Sequence, residues 1–302
     1  MRFNFICCFV ILAALVISAN AQQKAAKAYP PDLPGAKALV YKTVGDTKLN
    51  LYLYEPAGHK ASDKTPAIVF FFGGGWTGGS PQQFEQQCQY LAERGLVAIT
   101  ADYRVASRTQ VKAVSCVADA KSAIRYVRQN AAKLGVDPNR IAAGGGSAGG
   151  HLAACTGVLT GFDESTEDAK ISSVPNALAL FNPAVVLAAV DGLPQIDAAK
   201  VSSLGDRMGV EPQKLSPYHN VHKGAPPTII FHGQADTTVP YQTVELFAKA
   251  MEAAGNKCRL VGYEGQKHGF FNYGRDGGEY YQKTLDELDK FLVEQGYLPK
   301  RT

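Results

Sequence analysis

The side chain with the clearest potential for chemistry is Ser147, in the sequence G-G-S-A-G at residues 145–149. The spacing glycine-x-serine-x-glycine is typical of a sharp turn from a strand into a helix that leaves the serine hydroxyl exposed above a sheet. With 30 glycines in the chain, the motif alone is a weak signal. Its context strengthens it, because an apolar segment ends just before the motif and an alanine- and leucine-rich segment follows it. Ser147 is therefore the predicted nucleophile of an acyl-transfer reaction.

A serine hydroxyl is protonated at neutral pH, so it needs an adjacent base, and the base needs a carboxylate that fixes its tautomer. His268 lies in a glycine-flanked loop after a predicted strand, and Asp236 follows the preceding predicted strand. A lone loop histidine is usually a solvated surface group, and a loop aspartate often closes a turn. The order serine, acid, histidine is nevertheless the order that doubly wound serine hydrolases use. The alternative acids Asp191, Asp197 and Asp206 follow no convincing strand, so we predict Asp236 as the acid and His268 as the base.

A second glycine-rich turn, F-G-G-G-W at residues 72–76, follows another apolar segment. Backbone N–H groups aimed at the developing negative charge of a tetrahedral intermediate stabilise it strongly, and glycine lets the backbone approach closely. Three glycines could also form a plain turn. Because this turn and the serine turn are both expected at the same edge of a sheet, we predict Gly74, Gly75 and Ala148 as the donors of an oxyanion hole.

Other aromatic and histidine side chains fall near the same predicted edge. Trp76, Tyr103 and Phe270 could line a substrate pocket, although aromatic residues in such positions are at least as often core residues. His151 lies one helical turn after the serine and is predicted to be a packed or hydrogen-bonded neighbour rather than a rival base. His232 ends a predicted strand and is interpreted as structural.

Alternating apolar and amphipathic segments predict the elements that position these residues. The predicted strands lie at residues 39–43, 48–54, 67–72, 97–101, 140–143, 177–181, 228–231 and 259–263, and the predicted helices at 82–94, 113–134, 148–160, 239–254 and 279–295. The first two strands read as an antiparallel hairpin, and the later strands alternate with helices. This order predicts an α/β fold with a mainly parallel, doubly wound sheet. Residues 185–223 are irregular, and we expect them to form a small lid that partly covers the site.

Composition indicates a folded enzyme-like chain, with 302 residues, 46% hydrophobic and 19% charged. No linker divides it, so we predict a single domain at 39–298 after an extension at 22–38. The net charge of +4 is spread along the chain, which argues against nucleic acid or an anionic membrane as a partner. The expected partner is a small-molecule or polysaccharide ester. No cysteine has metal-ligand spacing, so we predict neither a metal site nor a cofactor.

The first residues have the pattern of a cleavable signal peptide. Arg2 precedes an apolar run at 5–17, and Ala19-Asn20-Ala21 has the small-x-small form that signal peptidase recognises. The apolar run is too short for a stable membrane anchor. We therefore expect cleavage near Ala21 and a secreted or periplasmic protein. Cleavage would leave Cys88, Cys116, Cys155 and Cys258, for which the sequence fixes no disulfide pairing, and the apolar helical surroundings of Cys155 favour a buried free thiol.

The segments FFGGGW, ADYRV, DPNRIAAGGGSAGGHLAA, HGQADTTVP and GQKHGFF occur in this order. Together they resemble the α/β-hydrolase fold esterases related to hormone-sensitive lipase and to acetyl xylan and feruloyl esterases, over residues 39–298. The resemblance implies the same triad and oxyanion donors and no cofactor. Two positions depart from the family pattern. Phe72 replaces the usual histidine before the glycines, and Gly146 replaces an acidic residue often found before the nucleophile.

The resemblance also bears on the substrate. The lipase-like branch of these enzymes carries N-terminal cap helices, and the short stretch before residue 39 leaves little room for them. An open site for short acyl groups on a bulky alcohol, such as acetylated carbohydrate, is therefore the expectation. Two other functions remain open at this point: a peptidase of the same fold, and a secreted binding protein without catalytic activity.

Overall fold

Eight strands form one sheet in the computed structural model, which describes residues 29–190 and 205–301. The strands are β1 (Lys37–Val44), β2 (Thr47–Tyr54), β3 (Thr65–Phe71), β4 (Val97–Ala101), β5 (Val136–Gly146), β6 (Ala177–Phe181), β7 (Thr228–Gly233) and β8 (Cys258–Tyr263). Their order across the sheet is β1-β2-β4-β3-β5-β6-β7-β8. The strand β2 pairs antiparallel with β1 and β4, and all later pairings are parallel. The carboxyl ends of β3 to β8 therefore meet at one edge.

Helices cover both faces of this sheet, because crossover connections between parallel strands place them there. The longer helices are α1 (Glu85–Glu93), α2 (Ala113–Gln129), α3 (Ala148–Val158), α4 (Tyr241–Ala253) and α5 (Glu279–Glu294), and shorter helical turns lie at Ala106–Thr109, Ala131–Leu134 and Pro212–Leu215. The first hydrophobic cluster joins α2, α3 and α4 to one face of the sheet. The second joins α1 and α5 to the other face.

The predicted fold class, an α/β-hydrolase fold with a mainly parallel sheet flanked by helices, is confirmed. The strand β5 starts at Val136, four residues earlier than predicted, because Thr65 of β3 pairs with it there. The predicted helix at 113–134 is two helices, of which the second ends at Leu134. Gly135 follows it with φ 63°, and a Cβ there would lie 2.3 Å from the Lys60 carbonyl oxygen, so only glycine fits the position that ends the helix.

One compact unit extends from Asp32 to Thr302. The predicted signal segment at 1–21 lies outside the described residues, as do residues 22–28 of the extension at 22–38. No helix in the described ranges is long and apolar enough to cross a membrane. Within these ranges no group of three or more histidine, cysteine or acidic side chains could hold a metal ion.

The four cysteines that follow the predicted signal segment are free thiols. Cys88, Cys116 and Cys155 are buried, and Cys258 is half-buried. Burial raises the pKa of the Cys116 and Cys258 thiols to about 12. The thiols of Cys88 and Cys155 have a pKa well above the usual value for the same reason.

A buried cluster of charges links strand β1 to helix α2 and to the loop after β4. The carboxylate of Asp119 in α2 is fully buried. It accepts two hydrogen bonds of 2.8 Å from the guanidinium of Arg104 and lies 2.8 Å from Lys42 Nζ in β1. Glu164 lies 2.8 Å from the same ammonium group. Because every charge has a partner of opposite sign, the cluster can stay ionised out of water.

Asp119→Asn should lower the free energy of unfolding by about 3–5 kcal/mol, because it leaves the buried guanidinium of Arg104 without a carboxylate and Lys42 with Glu164 alone. Urea unfolding followed by far-ultraviolet circular dichroism measures the effect. Glu294→Gln is the control, since Glu294 pairs with Arg259 on the surface at 3.2 Å with side-chain exposures of 53% and 39%. Equal unfolding midpoints for the two variants would contradict the prediction.

Candidate active site

Ser147 lies at the turn between β5 and α3, at the carboxyl edge of the sheet. Its backbone has φ 55° and ψ −117°, a conformation that residues other than glycine seldom adopt. The Ser147 N–H donates to the carbonyl oxygen of Phe181 at the end of β6, with a distance of 2.8 Å. The tight turn leaves the serine partly exposed while its neighbours are buried. This is the strained strand-to-helix turn that the glycine-x-serine-x-glycine spacing predicts.

Glycines make this turn possible because other backbone segments lie against it. A Cβ on Gly149 would lie 2.0 Å from the Phe71 carbonyl oxygen, and a Cβ on Gly145 would lie 2.4 Å from the Gly149 carbonyl oxygen. Real Cβ atoms do not approach backbone that closely. The first turn of α3 therefore packs directly on the end of β3, which fixes the position of Ser147.

The loop after β8 brings His268 to the serine. His268 Nε2 lies 2.9 Å from Ser147 Oγ, and His268 Nδ1 lies 2.7 Å from Asp236 Oδ2. A carboxylate can only accept, so Nδ1 carries the proton toward Asp236 and Nε2 is left to accept the serine proton. The His268 side chain is 24% exposed and that of Asp236 is fully buried. The structure thus joins the three residues that the sequence predicts as a triad.

Asp236 follows β7 and its carboxylate is held by donors on every side. Its Oδ1 accepts hydrogen bonds of 2.9 Å from the N–H groups of Thr238 and Val239. Burial alone would raise the pKa of this carboxyl, but hydrogen bonds from His232, His268 and the Val239 N–H hold its pKa well below the usual range. Asp236 therefore remains an anion that can orient the histidine and balance its charge.

Asn182, which the sequence analysis did not single out, also binds the carboxylate. Its Nδ2 donates to Asp236 Oδ2 at 3.1 Å, and its Oδ1 accepts from the Gly269 N–H at 3.2 Å. It is fully buried, directly after β6, with φ 43°. The sequence does give one indication of this role. Asn182 is a polar residue directly after the carboxyl end of a buried parallel strand, which is where site residues usually lie in such folds.

His232 has the structural place that the sequence suggested. It is fully buried, its Nε2 lies 2.8 Å from the Val239 carbonyl oxygen, and the same nitrogen lies 3.3 Å from Asp236 Oδ2. His232 therefore stabilises the turn at residues 236–239, whose N–H groups bind the Asp236 carboxylate. Of the alternative acids, Asp191 and Asp197 lie outside the described residues, and the carbonyl of Asp206 accepts a hydrogen bond from Lys112.

The predicted oxyanion loop lies beside the serine. A Cβ on Gly73 would lie 3.3 Å from Ser147 Cβ, so the loop touches the turn. Gly74 and Gly75 have φ values of 131° and 61°, and a Cβ on Gly74 would lie 2.2 Å from the Gly78 carbonyl oxygen. Among the described residues, the N–H groups of Gly74, Gly75 and Ala148 donate to no other group. They are therefore free to bind a substrate oxygen.

Trp76 fixes the far end of this loop. Its side chain is 5% exposed, and its indole Nε1–H donates to His151 Nδ1 at 3.1 Å. His151 Nε2 lies 2.8 Å from the Leu215 carbonyl oxygen, so this nitrogen carries the ring proton. Burial lowers the pKa of His151 to about 4. The ring is thus a neutral link between the loop and α3, as predicted.

The three aromatic residues suggested for the pocket, Trp76, Tyr103 and Phe270, are all buried, which is the core alternative that the sequence left open. Tyr103 is fully buried, stacks on Phe72 with ring centroids 4.1 Å apart, and donates its hydroxyl proton to the Phe72 carbonyl at 2.7 Å. Phe270 is 1% exposed and packs on Tyr263 at 4.9 Å.

The lid-like segment is described in part, since residues 191–204 lie outside the described ranges. Its second half reaches the oxyanion loop: Arg207 Nη1 lies 3.8 Å from the position that a Cβ on Gly75 would take. Ser216 anchors it, because its hydroxyl accepts from the Leu187 N–H at 3.1 Å and lies 3.3 Å from the Val185 carbonyl oxygen. The described part therefore flanks the site on the oxyanion side.

A serine, a histidine and a carboxylate at the carboxyl edge of a mainly parallel sheet, next to a glycine loop, define the α/β-hydrolase class of proteins. The chain belongs to the BD-FAE family within the α/β-hydrolase esterases, since the model of that family matches residues 51–251.

Solved structures of an esterase from Thermogutta terrifontis are similar over their whole length. The apo form of esterase 2 is 56% identical, with 91% of this chain and 100% of that chain covered and a TM-score of 0.86. The propionate-bound form is 55% identical with the same coverage and a TM-score of 0.86.

Curated relatives are more distant. The isoprenylcysteine alpha-carbonyl methylesterase of Arabidopsis thaliana is 30% identical over 248 residues, which cover 77% of this chain and 56% of the relative. The esterase LipC of Mycobacterium tuberculosis is 29% identical over 220 residues, which cover 68% and 53%. The chain thus spans about half the length of the curated relatives that it matches.

The low pKa of Asp236 predicts a dependence of stability on acid. The folded protein binds this proton more weakly than the unfolded chain, so the stabilising contribution is complete above the unfolded pKa of about 3.9 and is lost as the pH falls through the lower folded pKa. Between about pH 5 and pH 3, the free energy of unfolding should fall more steeply for the wild type than for Asp236→Asn, by up to about 1.4 kcal/mol per pH unit.

Urea unfolding at each pH measures these slopes. Asp46→Asn, at an exposed position of the hairpin turn, is the control and should follow the wild type. If the curves of the wild type and Asp236→Asn run parallel, the carboxyl does not have the low pKa described above.

Proposed function

We propose that the protein is a serine carboxylesterase that uses Ser147, His268 and Asp236 as its catalytic triad. The observation that carries this proposal is the continuous hydrogen-bonded path from serine to carboxylate, with distances of 2.9 Å and 2.7 Å. A candidate base must be within hydrogen-bond reach of the proton it takes, and this one is. The similarity to solved esterases over 91% of the chain supports the same activity.

In the proposed reaction, Ser147 Oγ attacks the ester carbonyl carbon while His268 Nε2 takes the hydroxyl proton. The imidazolium ion that forms is stabilised by the buried Asp236 carboxylate, which stays ionised. His268 then gives the proton to the departing alcohol, which leaves an acyl group on the serine. Water attacks this acyl-enzyme with His268 again as base, and the carboxylic acid is released.

The tetrahedral intermediates of both steps carry a negative oxygen. We assign its stabilisation to the N–H groups of Gly74, Gly75 and Ala148, which have no acceptor among the described residues. Because these donors are backbone groups held by a rigid turn, they need little reorganisation when the charge develops. The reaction needs no cofactor.

For the substrate, we propose an ester of a short acyl group, with acetylated carbohydrate as the natural class. Two observations support short acyl groups. The described part of the lid is small, and the similar esterase 2 of Thermogutta terrifontis has been solved with propionate and with butyrate bound. The bulky alcohol is supported by the family resemblance to acetyl xylan and feruloyl esterases.

We further propose that the enzyme acts outside the cytoplasm. The apolar run at 5–17 and Ala19-Asn20-Ala21 support removal of a signal peptide and a secreted or periplasmic location. Amino-terminal sequencing of protein from the cell-free and periplasmic fractions should begin at Gln22. A mature chain that still begins at Met1 would reject the signal peptide.

Hydrolysis of p-nitrophenyl esters tests the activity. The mature protein should release p-nitrophenol fastest from acetyl to butyryl esters and much more slowly from esters of eight or more carbons. Ser147→Ala should lower kcat/KM by about 10⁴-fold or more, because it removes the nucleophile of the triad, without which the histidine and the aspartate contribute little. Ser165→Ala, at an exposed serine, should leave the rate unchanged.

Activity indifferent to Ser147 would overturn the triad. Hydrolysis of a peptide p-nitroanilide at a rate comparable to the acetyl ester would favour the peptidase alternative. If the esterase activity is present, release of acetate from acetylated xylan measures the proposed natural reaction.

A further inference from the structure

Gln83 lies in the short turn Pro81–Phe84 and contacts two loops of the site at once. Its Oε1 accepts a hydrogen bond of 2.5 Å from the N–H of Gly73, the first residue of the oxyanion loop. Its Nε2 donates to Asn272 Oδ1 at 2.9 Å. Gln83 therefore holds the oxyanion loop on one side and the loop of the histidine on the other.

Asn272 continues the path toward the histidine. Its Nδ2 donates to the carbonyl oxygen of Gly269 at 2.8 Å, and its backbone N–H donates to the same oxygen at 3.2 Å. Gly269 directly follows His268, and its own N–H donates to Asn182, which binds Asp236. Side-chain amides thus connect the oxyanion loop to the carboxylate of the triad.

The polarity of this path is fixed along its whole length. The Gly73 N–H can only donate, so it requires the oxygen of the Gln83 amide, and the nitrogen must then face Asn272. Asn272 Oδ1 accepts this hydrogen bond from Gln83, so Asn272 Nδ2 is left to donate to the Gly269 carbonyl oxygen. Rotating either amide by half a turn would break two of these three hydrogen bonds. The two side chains therefore have one favourable arrangement.

The sheet alone does not set the distance between these loops. The oxyanion loop follows β3 and the histidine loop follows β8, which lie four strand positions apart, about 19 Å at the usual spacing of neighbouring strands. Both loops must converge on Ser147 to within a fraction of an ångström for catalysis. A Cβ on Gly146 would lie 3.5 Å from Gln83 Nε2, so this side chain passes close to the serine turn.

We infer that Gln83 and Asn272 form an amide bridge that sets the oxyanion donors and His268 in register around Ser147. They are positioning residues, since neither touches the reacting atoms. The inference rests on the proposed esterase activity. It implies that breaking the bridge anywhere lowers the rate of the chemical steps more than it lowers substrate binding or stability.

A double-mutant cycle tests the bridge. Gln83→Met and Asn272→Leu keep approximate shape and remove the amide hydrogen bonds. Each should lower kcat for p-nitrophenyl acetate by about tenfold with KM changed less than about twofold. The double variant should be no slower than about the slower single variant, because the two residues act as one unit. Gln282→Met, at an exposed glutamine that donates to Asp286 at 3.0 Å, is the matched control.

A second measurement separates positioning from general loss of structure. Ser147 Oγ attacks the carbonyl carbon of a trifluoromethyl ketone while His268 Nε2 takes the hydroxyl proton, which gives a hemiketal whose negative oxygen needs the same donors as the transition state. Its inhibition constant should rise in each bridge variant by the factor that kcat/KM falls, while the thermal midpoint changes little. The bridge would be overturned if the reductions in kcat of the two single variants multiply in the double variant, or if the inhibition constant of the ketone is unchanged in the single variants.

The two proposals fail in different ways. If the wild type and Ser147→Ala hydrolyse esters equally, the proposed function itself is wrong. If Ser147→Ala is inactive and both bridge variants match the wild type, the esterase stands and only the bridge is rejected.

Discussion

The structure around the site depends on one close approach between backbones, where the first turn of α3 lies against the end of β3. A Cβ on Gly149 would lie 2.0 Å from the Phe71 carbonyl oxygen, so no side chain larger than hydrogen fits there. This contact forces the chain at Ser147 into its φ of 55°. It also brings the glycine loop after β3 beside the serine. The candidate nucleophile and its candidate oxyanion donors thus result from a single packing constraint.

A second constraint is electrostatic. Asp236 is removed from water, which would favour its neutral form, yet hydrogen-bond donors from three separate loops keep it charged. The donors come from segments after β6, β7 and β8. The Asp236 carboxylate therefore holds the loops after β6, β7 and β8 together through hydrogen bonds. The same carboxylate that orients His268 also organises the edge of the sheet.

The sequence was sufficient for the parts of the site that have local patterns. Ser147 stands in a glycine-rich turn, and Asp236 and His268 each follow a recognisable strand, so their order and positions were predictable. Asn182, Gln83 and Asn272 were missed, because an amide side chain in a loop has no spacing rule and its partners are set only by the three-dimensional fold. For Tyr103 and Phe270 the sequence left pocket and core open, since an aromatic residue near a strand end suits both equally well. The extended start of β5 was also missed, because its pairing with Thr65 is not local.

The free cysteines have a consequence for the redox chemistry of the protein. Reaction with peroxide or with a disulfide requires a thiolate, and the thiols of Cys88, Cys116, Cys155 and Cys258 all have a raised pKa through burial. At neutral pH almost none of them is ionised. Thiols of this kind react slowly with oxidants and with disulfides, so in the described fold these cysteines serve in packing rather than in redox chemistry.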